Sequence, residues 1–483
     1  MASENGEKAK SKIVSGLLWK LLELGGTQGI QFVVSVILAR LLSPDEFGTI
    51  GLITIFITIA NTFVQSGFAT SLIQKKDVRD DDYSSVLWIS LIFAAVMYVI
   101  LYLTSPLIAG YYAVPVLIPL IRITGIILFP GAVVSIQTSY VARNMQFRKL
   151  FAGSLIAVII SGAAAVVMAY NGAGVWAMSI QQIVYYFTMM FVMIFLISWK
   201  PKFVIAFGRV KEFFSFGWKI LIAGLIDTIW TNVYGLVIGK KFSTSELGGY
   251  NRGDQFPKLI ATNLGAAVQA VMLPVYSKSQ DDKTGLKLLL KSTIRYSSFV
   301  LLPMMIGLVA VAKPLVSVLL TDKWLFCVPY LQILAISYAL YPIHTANLQA
   351  VNAQGRSDLF LKLEIIKKVC GVVFLVIGLR FGIIIMLILK TVNELVCAII
   401  NAQPNRRLLG YGFINQIVDI VPSIICSLAM GIAVSAIALT PLSGIILLAV
   451  QVITGAIVYI LLSLLINKDM VQGFKESIFK TLK

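Results

Sequence analysis

Ionisable side chains interrupt the long apolar stretches of this sequence. The ones that stand inside those stretches are Lys20, Arg122, Lys219, Arg252, Lys258 and Lys390, which are basic, and Glu23, Asp227, Asp254, Glu364, Glu394 and Asp419, which are acidic. A charge at the centre of a bilayer costs roughly 2.5 to 3.5 kcal/mol, so it persists mainly where it faces a partner or a water-filled cavity. These side chains are therefore the first candidates for a functional site.

The residues from Tyr250 to Gln255 form the least apolar opening of any stretch. They read Tyr-Asn-Arg-Gly-Asp-Gln, and Pro257 and Asn263 follow. A helix that faces lipid would not have this composition, and Pro257 would kink it and free backbone carbonyls for a ligand or water. The guanidinium of Arg252 stays charged and can bind two oxygens of a phosphate or carboxylate at once. We predict that this segment lines an aqueous cavity that binds anions.

The other embedded charges differ in depth. Arg122 and Asp227 lie deep within their stretches, like Arg252, and we predict that they also face the cavity. Lys20, Lys390 and Asp419 lie closer to the ends of theirs, where snorkelling to the membrane surface is an equal alternative.

Three further side chains have two interpretations each. Trp230 and Tyr234 could stack on sugar rings, although interior packing is the more frequent use of such aromatic residues. His344, the one histidine of the chain, could relay protons or serve as a hydrogen-bonded packing residue.

The elements that must position these residues are fourteen apolar runs. Each is long enough to cross a bilayer as a helix, which takes roughly 20 residues at 1.5 Å rise. The runs cover 13 to 39, 47 to 74, 83 to 105, 112 to 141, 150 to 170, 173 to 198, 213 to 239, 247 to 276, 292 to 312, 326 to 351, 359 to 379, 381 to 402, 413 to 438 and 443 to 466. The sequence therefore predicts an all-α polytopic membrane protein with fourteen transmembrane helices.

Positive charge alternates between the connections. The odd-numbered connections hold few Lys and Arg, namely Arg40, Lys240, Lys241, Lys313, Lys323 and Arg380, whereas the even-numbered connections and both tails hold most of the rest. Because cytoplasmic loops keep positive charge, both termini are predicted to face the cytosol. The net charge of +18 thus sits in short loops beside membrane spans, which argues against a nucleic-acid partner and for contact with an anionic bilayer surface.

Composition excludes several other classes of function. With 58% hydrophobic residues and a mean hydropathy of +0.89, the chain is a membrane protein, and no connection is long enough to hold a soluble domain. One histidine and four separated cysteines cannot build a zinc or haem site of several histidines. Gly172 to Ala177 match the loose dinucleotide fingerprint but follow a membrane span rather than a strand. No other nucleotide-binding, protease or catalytic-triad signature is present, so we predict no cofactor, no metal and no enzymatic activity.

The sequence resembles itself at an offset of about 200 residues. Trp19-Lys20 matches Trp218-Lys219, and the turn from Ser43 to Gly48 matches that from Ser243 to Gly248. Six spans per copy make this a parallel repeat about an axis along the membrane normal, and such repeats form two lobes around a central cavity. The predicted divisions are an N-lobe of six helices (1–198), a cytoplasmic linker (199–212), a C-lobe of six helices (213–402), two further helices (413–466) and a cytoplasmic tail (467–483).

Several motifs resemble those of a known family. They are Leu38 through Gly48, Phe68 through Asp77, Phe147 through Leu150, Gly174 through Ala177, Phe214 through Gly217, Leu301 through Pro303, Lys313 through Leu315 and Asp322 through Trp324. Over residues 13 to 410 the sequence is similar to the Wzx-type polysaccharide-transport flippases of the multidrug/oligosaccharidyl-lipid/polysaccharide exporter superfamily. The peptidoglycan-precursor flippases of that superfamily carry arginines in their first two helices, whereas residues 47 to 74 here contain no charge.

The resemblance implies a flippase that moves a polyprenyl-diphosphate-linked oligosaccharide across the bacterial inner membrane by alternating access, for surface polysaccharide synthesis. It implies headgroup contacts from Arg252, Arg122, Lys219, Lys20 and Lys258, and ion coupling by Glu23, Asp227, Glu394 and Glu364. Trp230 and Tyr234 would stack on sugars. The implied partners are the lipid-linked oligosaccharide, the bilayer, and a polysaccharide polymerase with its chain-length machinery.

Two other functions remain open from the sequence. A cation-coupled multidrug exporter of the same superfamily should have an acidic cavity, which the embedded Arg252 and Arg122 disfavour. A membrane polysaccharide polymerase would need a long outer loop, and the longest outer connection, about 313 to 325, is short.

Overall fold

The computed structural model of the chain describes residue 19 and residues 25–65, 68–75, 77–204 and 206–481, and these form helices and turns without a strand. In chain order the α-helices are α1 (25–41), α2 (Pro44–Gln65), α3 (Phe68–Gln74), α4 (Asp80–Tyr112), α5 (Leu117–Thr124), α6 (Leu128–Arg143), α7 (Phe147–Tyr170), α8 (Val175–Leu196), α9 (Phe207–Lys241), α10 (Thr244–Lys278), α11 (Lys283–Leu320), α12 (Val328–Tyr338), α13 (Tyr341–Ala353), α14 (Ser357–Gly378), α15 (Ile383–Leu409), α16 (Phe413–Ile437), α17 (Gly444–Ile466) and α18 (Lys468–Thr481). Short 3₁₀ segments precede α6 and α12, at Gly125–Ile127 and Asp322–Cys327.

The prediction of an all-α polytopic membrane protein is confirmed. Twelve helical segments of the described residues are long and apolar enough to cross a membrane. Two of the fourteen predicted spans are not among them, each for its own reason. Much of the run 13 to 39 lies outside the described residues, and α14 is a 22-residue helix that carries Lys362, Glu364, Lys367 and Lys368. The count of fourteen stays a prediction.

The chain divides into two compact units, residues Met1–Gly248 and Gly249–Lys483, which we call unit 1 and unit 2. In unit 1, α7 packs along α8, α2 along α9 and α4 along α6. Part of its core is an aromatic and aliphatic cluster that includes Tyr83, Leu87, Met193 and Trp199. The division of the chain by its sequence repeat, with boundaries at 198 and 213, stays a prediction.

Unit 2 is built around α11, which packs on α12, α13, α16 and α17, and around α15, which packs on α12, α13 and α14. A buried amide network holds three of these helices together. Asn347 on α13 and Gln416 on α16 exchange two hydrogen bonds, of 2.8 and 3.0 Å, and the Asn405 amide on α15 donates to Asn347 Oδ1 at 2.8 Å. Because a buried amide is costly unless it is bonded, this network fixes the positions of α13, α15 and α16 relative to one another.

The two repeated turns form similar helix starts and pack against each other. Ser43 and Glu46 make a reciprocal capping box at the start of α2, and Ser243 Oγ accepts from the backbone N–H of Glu246 at 3.1 Å at the start of α10. A Cβ added to Gly48 would overlap the carbonyl oxygen of Thr244, and a Cβ added to Gly248 would overlap that of Pro44. Each turn therefore needs glycine at the same place, because the backbone of the other turn occupies the space.

Candidate functional site

An ionic cluster lies inside unit 2, around the Asp254 carboxylate on α10. Tyr338 on α12 donates a hydrogen bond to Asp254 Oδ1 at 3.2 Å, and the Lys258 and Lys390 ammonium groups lie 3.8 and 3.9 Å from its oxygens. Only 13% of the Asp254 side chain is exposed, against 54% of Lys258. Two cations thus share one buried carboxylate, and the more exposed cation is available to a further anion.

Lys390 on α15 is the less exposed cation of this cluster. Its side chain is 15% exposed, and its ammonium group donates to the Tyr250 hydroxyl at 3.1 Å. The ammonium nitrogen also lies 5.3 Å from the centre of the Tyr250 ring. Tyr250 and Asp254 are one helical turn apart on α10, so together they present one face of the helix to Lys390. Lys390 therefore contacts partners inside unit 2 and does not extend toward the membrane surface.

Arg252 lies on the other side of α10, since two residues along a helix turn the side chain by about 200°. It is 7% exposed, donates to Gln255 Oε1, and its guanidinium stacks 5.9 Å from the Trp324 ring centre. Trp324 is fully buried in the 3₁₀ segment before α12. Arg252 is thus engaged with the turn that carries Trp324, apart from the Asp254 cluster.

The predicted coupling carboxylates of unit 2 each have a neighbour. Glu364 on α14 forms an ion pair with Lys367 at 2.6 Å, one turn along the same helix. Glu394 on α15 lies with its Oε2 3.6 Å from Nε2 of His344 on α13. Glu394 also follows Lys390 by one helical turn, so the Glu394–His344 pair adjoins the Asp254 cluster.

In unit 1, the predicted cation Arg122 on α5 is half-buried against α4. Its Nε donates to the Ser105 hydroxyl at 3.0 Å, and its guanidinium lies 4.1 Å from the centre of the Tyr102 ring. Ser105 is fully buried, whereas Tyr102 is 42% exposed. The guanidinium is therefore held between a hydroxyl and an aromatic face, which leaves its other N–H groups for water or a ligand.

The remaining predicted residues divide between α9 and the N-terminal segment. Lys219 and Asp227 are exposed on α9, Trp230 is half-buried and Tyr234 is buried. Lys20 and Glu23 lie outside the described residues. The structure thus brings Asp254, Lys258 and Lys390 together in unit 2, and it places Arg122 separately from Lys219 and Asp227 in unit 1.

Unit 1 also contains an uncharged polar face, defined by Thr54, Thr58 and Thr62 on α2 with Gln182 on α8 and Thr228 on α9. The threonines are spaced four residues apart, so they form one row along α2. Thr58 and Thr62 donate to the carbonyls of Thr54 and Thr58, at 2.7 and 2.9 Å. Gln182 donates to Thr54 Oγ1 at 3.2 Å, and the Thr62 and Thr228 hydroxyls lie 3.1 Å apart.

The residues predicted from charge within apolar runs do not include this polar face or the full extent of the unit 2 cluster. The four-residue spacing of threonine in the span 47 to 74 was the available signal for the polar face. Tyr338 and His344 lie on helices distant in sequence from α10 and α15, so no local spacing could have paired them with Asp254 and Glu394.

Comparison with known proteins assigns the chain to a family. Residues 37–329 match the family described as polysaccharide biosynthesis protein, and this segment is more than half of the chain. The chain belongs to that family. The resemblance predicted from its motifs is thereby confirmed.

Two relatives of the chain illustrate the similarity. Teichuronic acid biosynthesis protein TuaB of Bacillus subtilis is 25% identical over 351 residues, which are 72% of either chain. Lipopolysaccharide biosynthesis protein WzxC of Escherichia coli is 22% identical over 443 residues, which are 88% of either chain. Among solved structures, the lipid II flippase MurJ superposes with a TM-score of 0.77 at 16% identity, over 94% of this chain and 100% of that one. At this level of identity the superposition shows a shared fold.

Proposed function

We propose that this protein is a flippase that moves a polyprenyl-diphosphate-linked oligosaccharide from the cytoplasmic to the outer leaflet of a bacterial inner membrane by alternating access. Membership in the polysaccharide biosynthesis family supports the pathway, and the fold shared with a lipid II flippase supports the type of transport. The observation that carries the proposal is the Lys258–Asp254–Lys390 cluster, a net positive site within membrane-spanning helices. Such a site suits an anionic headgroup embedded in lipid.

The diphosphate is proposed to bind first at Lys258, the most exposed cation of the cluster, with Lys390 behind it. Its negative charge would then be shared between two cations that Asp254 alone does not neutralise. Arg252 is proposed to raise the positive potential of the same helix from its position against Trp324. Arg122, Lys219 and Lys20 are proposed as further contacts along the route of the anion.

The glycan is proposed to contact the uncharged polar face of unit 1. Because Thr58 and Thr62 already donate their hydroxyl hydrogens to helix carbonyls, their oxygens remain as acceptors. A sugar brings many hydroxyl donors and little charge, so an array of acceptors suits it better than it suits a phosphate, which requires donors. Trp230 and Tyr234 of α9 are proposed as stacking partners for sugar rings.

The hydrocarbon tail is proposed to use an apolar cavity of about 390 Å³ in unit 2. Helices α11, α16 and α17 line most of it, with Pro303, Met304, Leu308, Met430, Val452 and Tyr459 among the contacts. Pockets of this size lined by flexible apolar side chains can accommodate an irregular chain.

Export of an anion is favoured by a membrane potential that is negative inside, by about 2.3 kcal/mol per charge per 100 mV. Glu23, Asp227, Glu364 and Glu394 are proposed as groups that could couple a second ion to this step. Both termini are proposed to lie in the cytosol, and a polysaccharide polymerase in the outer leaflet would use the product.

The proposal is tested with the purified protein in liposomes that contain a short-chain polyprenyl-diphosphate oligosaccharide. We expect the protein to make inner-leaflet lipid accessible to an enzyme added outside, at least tenfold faster than protein-free liposomes. In cells, loss of the protein should leave repeat units attached to their carrier, detected by mass spectrometry of the lipid fraction. Unchanged accessibility in liposomes together with no stranded carrier would refute the proposal.

The same liposomes distinguish a multidrug exporter. That activity would appear as efflux of organic cations such as ethidium, with no effect on the lipid-linked sugar. The basic balance of the unit 2 cluster predicts that ethidium is not transported.

A further inference from the structure

Glu394, named above as a coupling group, pairs with His344, to which the proposed function gives no role. Nε2 of His344 and Oε2 of Glu394 are 3.6 Å apart, and the two side chains are 13% and 36% exposed. Glu394 is thus the outer member, open to its surroundings, and His344 lies behind it. Neither group forms an ion pair with Lys or Arg in the part of the chain that the structure describes.

We infer that His344 and Glu394 bind one exchangeable proton between them. The inference rests on the proposed function and specifies which ion its coupling step would use.

Asn401 can form a hydrogen bond with His344 Nδ1 in either protonation state of the imidazole. Asn401 lies two helical turns beyond Glu394 on α15. Its Nδ2 is 3.1 Å from His344 Nδ1. In this orientation Asn401 donates to a neutral imidazole, whose Nε2–H has no hydrogen-bond partner among the described residues and lies 3.6 Å from Glu394 Oε2. The Asn401 Oδ1 has no hydrogen-bond partner among the described residues. A rotation of the amide would present that oxygen to an imidazolium N–H, so Asn401 can satisfy either protonation state.

The charged and titratable groups near the pair lie on α13, α14 and α15, and they include Cys397, one turn beyond Glu394. Glu364 and Lys367 approach from α14, already paired to each other at 2.6 Å. Lys390 lies one turn before Glu394 on α15 and bonds to Tyr250 and Asp254. Tyr341 precedes His344 on α13 by three residues and lies on the same face. The surrounding cations stabilise a Glu394 carboxylate at a distance, yet none of them replaces His344 as its nearest partner.

A proton fits this site better than a metal cation. A single carboxylate and an imidazole nitrogen do not supply the several oxygen ligands that hard cations prefer. Among the described residues, no three His, Cys, Asp or Glu side chains come together as a metal site. With neutral imidazole and ionised carboxylate the pair has a charge of minus one, and one bound proton makes it neutral overall. Neutralisation lowers the free-energy cost of enclosing the pair in an apolar environment. Proton binding would therefore favour an occluded conformation.

The single histidine of the chain permits a direct test. The full-length protein is purified with a histidine-free tag, labelled with ¹⁵N-histidine, and its one imidazole is followed by NMR between about pH 5 and pH 8. We expect the signal to move from neutral toward protonated imidazole at the acidic end of this range. In Glu394→Gln the fraction of imidazolium at a given pH should fall roughly tenfold, because a carboxylate within a few ångströms favours the charged ring. Asp419→Asn, which removes a carboxylate paired with Lys291 elsewhere in unit 2, should leave the signal unchanged.

A histidine signal that stays in one state throughout, or that is the same in Glu394→Gln as in the parent protein, would overturn the inference. If Glu394→Gln does not fold, the histidine signal of Glu394→Asp is compared with that of the parent protein. The shorter side chain moves the carboxylate away from His344, so the fraction of imidazolium at a given pH must change.

Transport separates this inference from the proposed function. In liposomes with the membrane potential clamped at zero, a proton gradient should accelerate lipid translocation by the parent protein, and His344→Gln and Glu394→Gln should lose that response. Translocation that is indifferent to the gradient in the parent protein would reject the proton site and leave the flippase function standing. No translocation under any condition would reject the flippase function itself.

Discussion

Units 1 and 2 contain polar groups of different kinds within their membrane-spanning helices. The polar face of unit 1 consists of hydroxyls and an amide, with hydroxyl hydrogens committed to helix carbonyls. Unit 2 instead assembles Asp254, Lys258 and Lys390 into an ionic cluster. A lipid-linked sugar has the same two kinds of chemistry, an uncharged glycan and an anionic diphosphate. The difference teaches that two units built from similar membrane-spanning helices can carry different polar chemistry, hydroxyls in one and charges in the other.

The largest effect is expected where unit 2 is most ionic. Asp254→Asn removes the carboxylate that Lys258, Lys390 and Tyr338 share, and it leaves the buried Lys390 ammonium without that anion. We expect a loss of about 3 kcal/mol in stability and of polymer export, because an unpaired buried charge is costly. Thermal unfolding in detergent and surface polysaccharide levels measure the two effects.

A double variant provides the control for this prediction. Asp254→Asn combined with Lys390→Gln removes both charges and should recover most of the lost stability without restoring export. If the double variant loses as much free energy of unfolding as the two single variants together, Asp254 and Lys390 are not energetically coupled. The unit 2 cluster would then contribute no interaction energy between these two groups.

The next largest effect concerns what the two repeats share. Gly48→Ala and Gly248→Ala each place a Cβ on a backbone carbonyl of the opposite turn, at Thr244 and Pro44. Backbone cannot move aside as a flexible side chain can, so each variant should lose about 2 kcal/mol in stability, measured by thermal unfolding. Gly110→Ala, on α4 with open space around its Cα, is the matched control and should be near neutral. Two variants with unequal costs would indicate that the two turns are not equivalent.

A smaller effect is expected on the uncharged face of unit 1. Thr58→Val keeps the shape of the side chain and removes the hydroxyl oxygen that we propose as an acceptor for sugar. Loss of one neutral hydrogen bond is worth about 1 kcal/mol, so transport of the lipid-linked sugar should fall about fivefold with little change in stability. Initial rates of translocation in liposomes measure this change.

Thr104→Val is a close control because Thr104 donates to the Ile100 carbonyl in the same way but lies on α4, outside the polar face. Equal losses in Thr58→Val and Thr104→Val would assign the effect to helix structure rather than to the glycan.

The sequence predicted the class and most elements of this fold because its dominant signals are local. Apolar runs of about 20 residues and the distribution of Lys and Arg are readable without any tertiary contact. The capped turns at Ser43 and Ser243 were visible as a repeat for the same reason. α14 illustrates the limit of such local signals. It is long enough to cross a membrane, but the charged residues between Lys362 and Lys368 make it too polar to count as a candidate span.

The candidate site was predictable only in its residue types. Asp254, Lys258, Lys390 and Glu394 stand out as charges within apolar runs, but their partners Tyr338 and His344 come from helices at other positions in the chain. Burial also separates neighbours that look alike in sequence. Arg252 and Asp254 are two residues apart, yet the helix turns one toward Trp324 and the other toward Lys390. Such pairings depend on how the helices pack, which the periodicity of one helix does not encode.

The smallest effect tests whether ionic groups of unit 2 matter because of their burial or merely because of their charge. Arg356 and Asp358, at the start of α14, form a bidentate pair at 3.0 and 2.9 Å on the protein surface. The hydrogen bonds from Arg356 lower the pKa of Asp358 to about 2. Because this folded-state pKa lies below the unfolded value, the pair stabilises the protein fully above about pH 4, and the contribution is lost as the pH falls through about 2. Asp358→Asn should therefore lower the unfolding temperature only slightly at neutral pH, by an amount that shrinks in high salt and toward acid. A loss as large as that of Asp254→Asn would show that charge pairing alone, without burial, explains the difference between the two units.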